Sequence, residues 1–152
     1  MEGDIRGREP GVGSPRDRRV ALSVTSGRPR DRLGRPLDPG DSRAYPTVPE
    51  RQFITDADAW SEGIAFIRDG LPFHAHEVFE QRWKCCPPEH REAWRALAQW
   101  GAALTQQARG NQIGRVRLAE RARDRLEVAL RDDSVPGVVD VRFVLQSLTQ
   151  LA

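Results

Sequence analysis

Only two cysteines occur in the 152 residues, Cys85 and Cys86, and being neighbours they offer no disulfide framework. A reducing, cytoplasmic setting is therefore expected. Lysine is nearly missing as well, since Lys84 stands alone among arginines, a bias that carries no binding code by itself although arginine suits bidentate contacts. The chain has no apolar stretch long enough to cross a bilayer and no charged, apolar and small-residue signal pattern near Met1, so no membrane partner is expected. A strong excess of one charge is also lacking. The 24 basic and 22 acidic side chains leave a net charge of +2, and the acids Asp17, Asp31, Asp38 and Asp41 dilute the N-terminal arginines, which argues against nucleic acid as a partner.

What is present divides into two unequal parts. Residues 1–52 are dense in Gly, Pro, Arg and Asp, with apolar residues only in short groups such as Val20-Ala21-Leu22, and read as a disordered or extended arm. Leu33, Leu37, Tyr45 and Val48 give that arm side chains able to fill surface grooves. Residues 53–152 carry helical periodicity throughout, with no strand alternation and no repeat. The expected fold is all-α, a compact bundle of about five helices.

The first helix is expected over 56–69, where Ala57, Trp60, Ile64 and Ile67 recur before the stop at Asp69-Gly70. Pro72 opens a second helix that runs to Lys84 and meets Pro87-Pro88. The third, over 89–109, is apolar or small nearly all round and should be the central one. Arg109-Gly110-Asn111 reads as a tight corner, with Gly110 for a left-handed helix end and Asn111 for the next N-cap. In the fourth helix Ile113, Val116, Ala119, Ala122, Leu126 and Ala129 form one stripe and alternating charges the other face. After a break at 134–137 a last stripe runs through Val141, Val144, Leu145, Leu148 and Leu151.

The chemistry concentrates in the second helix. Phe73, His76, Glu80 and Trp83 share a strip at spacings of three and four, with Glu77 at its margin and His74 turned to solvent. An imidazole and a carboxylate one turn apart can give two ligands to a divalent ion, or the carboxylate can set the imidazole tautomer. His76-Glu77-Val78-Phe79-Glu80 differs from the zinc-protease pattern because Glu80 replaces the second histidine, so the protease reading fails. The competing structural reading makes His76 and Glu80 a satisfied pair bridging to the third helix through Gln99, whose amide sits among Leu97, Ala98, Trp100 and Gly101. The four tryptophans fall on apolar stripes and read as core. Cys85 and Cys86 read as either a reactive pair or an incidental turn.

The run from Phe73 to Glu80 with Trp83, then Trp94-Arg95-Ala96-Leu97-Ala98-Gln99, then Ala108-Arg109-Gly110-Asn111, resembles domain-of-unknown-function family 309 over about 57–130. Arg28-Pro29-Arg30-Asp31 and Leu33-Gly34-Arg35-Pro36-Leu37 look like the arm of actinobacterial-type members. Many members of the family are labelled predicted metal-dependent hydrolases. The resemblance implies an all-helical domain with His76, Glu77, Glu80, Trp83, Gln99, Gly110 and Asn111 at signature positions. Gln106 stands where members often have histidine, and Ala96 where glycine is usual, and a carboxamide is a poor zinc ligand.

Two functions are thus in competition. One is a ligand-binding or protein-interaction module in which His76, Glu77, Glu80, Trp83, Gln99 and Gln106 form a polar cluster between helices two and three, with a protein partner or a second copy of the chain left open. The other is a metal-dependent hydrolase-like enzyme, in which His76 and Glu80 hold a divalent metal ion and Glu77 is the catalytic base.

Overall fold

The computed structural model describes Leu22 and residues 27–152; the arm reading for 1–21 and 23–26 lies outside the described residues. Five helices follow one another: α1 (Asp56–Arg68), α2 (Pro72–Cys85), α3 (Arg91–Ala108), α4 (Gln112–Arg131) and α5 (Val141–Leu151). Among the described residues bridge assignments are confined to isolated positions in the segment before α1, Arg30 with Pro36 and also Thr47, and no strand is formed, so the fold is all-α.

Local chemistry accounts for most helix ends. Thr55 Oγ1 accepts from Asp58 N–H, Asn111 Oδ1 from Gly114 N–H and Asp140 Oδ1 from Phe143 N–H, each satisfying a backbone donor that the first helical turn leaves open. Pro72 starts α2 without a side-chain cap, because proline has no N–H to satisfy and its φ is already helical. Pro88–His90 forms a 3-10 turn, and α3 begins at Arg91 rather than at Glu89.

α3 is the central rod, as its nearly unbroken apolar sequence implies. Trp94, Leu97, Trp100 and Ala103 are fully buried, and α3 packs against α2, α4 and α5. Phe79 of α2 lies between Trp94 and Trp100, with ring centroids 6.2 and 6.0 Å away, and Trp60 of α1 stacks on the outer side. Trp100 Nε1 donates to Ser147 Oγ at 2.9 Å, so this large ring buries its polar edge with a partner in α5. Ile113, expected on the α4 stripe, stands 68 % exposed in the first turn.

The extended segment from residue 27 to 52 is docked on the bundle. Leu37 and Val48 are buried, Tyr45 packs against the core, and Leu33 is half-buried. Arg109 donates Nε and Nη2 to the Leu33 carbonyl, Arg32 donates to Asp69 O, and Gln81 donates to Pro49 O. Arg51 reaches both Glu62 of α1 and Gln81 of α2. Gly34 lets this strap lie on α2, since its φ is +76° and an added Cβ would fall 2.3 Å from the Phe73 ring.

A second close approach positions the site. A Cβ at Gly101 would come within 2.9 Å of the His76 backbone, so the α2–α3 crossing tolerates only glycine in this geometry. Gly101→Ala should therefore lower stability by about 1 to 3 kcal/mol, the usual cost of overpacking a filled interface. Denaturant unfolding of the two proteins measures this, and an unchanged midpoint would contradict the close crossing.

Candidate functional site

The face of α2 that enters the core is Pro72, Ala75, Val78, Phe79 and Arg82, together with His74, and Leu71 just before the helix is buried with it. Helix rotation then leaves His76, Glu77 and Glu80 half-buried along one flank. His74 is the clear correction: expected at the surface, it is 1 % exposed, and Nε2 lies 2.7 Å from the Pro46 carbonyl of the strap. The strap itself, and not the helix spacing, provides the cover.

His76 and Glu80 do meet, with Nε2 to Oε2 at 3.3 Å, while His76 Nδ1 lies 2.8 Å from the Ala98 carbonyl. A carbonyl can only accept, so Nδ1 carries a proton and Nε2 is the nitrogen presented to the carboxylate. The bridge to α3 therefore runs through backbone Ala98 rather than the Gln99 side chain. Gln99 Oε1 is buried without a protein partner.

The remaining expected members do not converge on this pair. Trp83 lies half-buried under the Arg95 guanidinium, 5.2 Å from ring centroid to Cζ, at the α2–α3 seam. Gln106 is a correction too: its Oε1 accepts from Asn111 Nδ2 at 3.0 Å, so it braces the α3–α4 corner. At that corner Gly110 has φ +75°, Asn111 caps α4 and Arg109 ties down the strap.

The space beside the site also lies elsewhere than expected. A groove of about 890 Å³ runs between α2 and the strap rather than between α2 and α3. Glu77, Glu80, Gln81 and Lys84 form one wall; Arg28, Arg30, Val48, Glu50 and Arg51 contribute to the other. The sequence could not show this, because a wall built from extended chain leaves no periodic signature.

Electrostatics separate the two glutamates. The hydrogen bond from His76 chiefly holds the Glu80 carboxyl down at about 2 against burial, with the His76 and Lys84 charges assisting. For His76, burial opposes the imidazolium most, yet the bonds to Glu80 and Ala98 and the charges of Glu80 and Glu77 raise its pKa overall. Glu77 goes the other way. Burial raises its pKa, and the opposing His76 and Arg30 charges do not cancel that effect.

Sequence reasoning missed a second polar cluster at the opposite end of α2. Arg82 Nε donates to Asp56 Oδ1 at 2.7 Å, Arg82 Nη1 to Ile54 O, and Trp94 Nε1 to the same Asp56 oxygen at 3.0 Å. His90 Nδ1 lies 4.0 Å from Asp56 Oδ2. The available signal was Arg82 itself, which continues the apolar stripe of Ala75, Val78 and Phe79 at helical spacing. Its burial with directed bonds to Asp56 and Ile54, and the Trp94 bond to the same Asp56, read as a structural joint between α1, α2 and α3. Cys85 and Cys86 are free thiols here, donating to the carbonyls of Ile54 and Trp83.

Residues 60–118 match the family model described as Domain of unknown function (DUF309). Over these residues the chain is similar to the DUF309 family. No curated protein and no solved structure matches. The DUF309 segment contains α2, α3 and their crossing, but the strap that forms the outer wall of the groove lies before it.

The donor set does not suit a resident metal ion. Among the described residues no group of three His, Cys, Asp or Glu side chains is placed to hold one, and His76 with Glu80 supplies two donors where catalytic zinc sites use three from the protein. Lys84 Nζ, 3.3 Å from Glu80 Oε1, puts a further positive charge where a cation would sit.

The pair predicts a pH profile. The raised His76 pKa gives stability that is complete below the ordinary value of 6.5 and lost as pH rises through the folded-state value; the depressed Glu80 pKa gives stability present above 4.5 and lost on acidification toward about 2. Wild type should exceed Glu80→Gln most between these limits, by up to about 1 kcal/mol because both groups are partly solvated. Thermal unfolding across pH reads the gap, and a gap independent of pH would refute the coupling.

Proposed function

We propose that this protein is a binding module whose groove between α2 and the strap receives a basic side chain of a protein partner, with Glu77 as its anchor. The observation that carries this reading is the state of the charges in the groove wall. Arg51 is engaged by Glu62 and Gln81, Arg30 by the Gly34 carbonyl and the Phe73 ring, and Lys84 by Glu80. Glu80 is held by His76, and Glu50 is exposed. Among the described charged residues of the groove wall, Glu77 alone combines partial burial with the lack of a hydrogen bond or ion pair. A partly desolvated carboxylate at the edge of an open groove gains from a cation that arrives with its own hydrogen-bond donors.

A cytoplasmic location suits the two free thiols. No helix among the described residues is long and apolar enough to cross a membrane.

Titration with the tripeptide Gly-Arg-Gly, followed by backbone amide NMR, tests the reading, with Gly-Glu-Gly as control. Saturable shifts should centre on α2 and the strap for the arginine peptide only. Glu77→Gln should weaken binding about tenfold, equivalent to about 1.4 kcal/mol, while leaving thermal stability equal or higher because a desolvated carboxyl is removed. Equal affinity for both peptides, or undiminished binding by Glu77→Gln, would overturn the assignment of Glu77.

A further inference from the structure

His74 is the one histidine whose ring is sealed inside the protein, and it is fastened to the strap instead of to another helix. Because the Pro46 carbonyl can only accept, Nε2 carries the proton in the neutral ring. Nδ1 is then a bare lone pair, and it is buried with no hydrogen-bond partner. Tyr45 of the strap meets the ring edge-on at 5.4 Å, Phe66 of α1 lies at 5.4 Å, and Phe73 of α2 lies at 6.2 Å.

We infer that His74 is an acid-sensitive latch: protonation of Nδ1 releases the strap around Tyr45 and Pro46 from α2 and so opens the outer wall of the groove. Protonation would add an N–H without an acceptor and a charge without a counter-ion to an aromatic pocket. The charged group whose field reaches the ring is Arg32 of the strap, which also disfavours the imidazolium; Tyr45 is the other titratable neighbour, while α1 and α2 present phenyl rings. Burial is the main cause that lowers the His74 pKa, and the Pro46 bond only partly opposes it. The strap ties made by Arg32, Arg51, Gln81 and Arg109 have arginine or glutamine donors, which keep their protons across the neutral range. Val48, Glu50 and Arg51 of the groove wall follow Pro46 closely in the chain, so release at Pro46 is transmitted to them.

The latch itself is independent of what the groove binds; only its effect on ligand affinity rests on the function proposed above. Tyr45 is the only tyrosine in the chain, so 3-fluorotyrosine labelling gives a single ¹⁹F resonance from the strap. Lowering the pH from about 7.5 to about 5, the range in which histidine ordinarily titrates, should bring in a second, solvent-exposed signal. Its midpoint should lie below the ordinary histidine value of 6.5 and coincide with the His74 imidazole titration followed by proton–carbon NMR. His74→Gln retains an N–H donor for the Pro46 carbonyl without ionising, and should hold the closed signal at every pH. The inference is overturned if His74 titrates while the Tyr45 signal stays single, or if His74→Gln opens with the wild-type profile. Should that variant not fold, disagreement between the two wild-type midpoints is sufficient to reject it. No ligand enters this measurement, so its failure is distinct from a failure of the peptide titration.

Discussion

The crossing of α2 over α3 at Gly101 is the constraint on which the rest depends. With no side chain at Gly101, the His76 backbone approaches α3 closely enough for Nδ1 to reach the Ala98 carbonyl. That bond assigns the proton, points Nε2 at Glu80, and so determines which charges face the groove. The same approach brings Phe79 between Trp94 and Trp100, which makes the aromatic core and the polar flank two sides of one packing decision.

α2 is enclosed on two sides by different kinds of partner. α3 supplies a rigid wall of helix, while the strap supplies extended chain held by separate side-chain bonds. His74 and His76, two residues apart, consequently have their pKa values shifted in opposite directions, down for His74 and up for His76. His76 has a carboxylate and a carbonyl as neighbours, whereas His74 has one carbonyl and aromatic rings. Residue type alone would have made them alike.

Helix number and most boundaries were legible because their causes are local. Pro72, Gly110, Asn111 and the apolar stripes of α3 and α4 act within a turn or two of themselves. The DUF309 match covers the same central stretch. The His76–Glu80 pair was legible for the same reason, since residues four apart on a helix must be neighbours. The partners from distant segments were not. Gln99 and Gln106 share a helix face with each other, yet only α2 docking decides which α3 group meets His76, and that group is a backbone oxygen invisible to any reading of side chains.

The sequence by itself determined an all-α domain, its central helix, its tight corner and a histidine–glutamate pair one turn apart, because each follows from short-range periodicity and backbone preference. Tertiary structure decided that His74 is sealed, that Arg82 joins Asp56 and Trp94, and that the groove opens toward the strap. These depend on how far α2 is turned about its axis and on where a non-periodic segment comes to rest. Both are settled by the summed packing of separate elements, which no local pattern encodes.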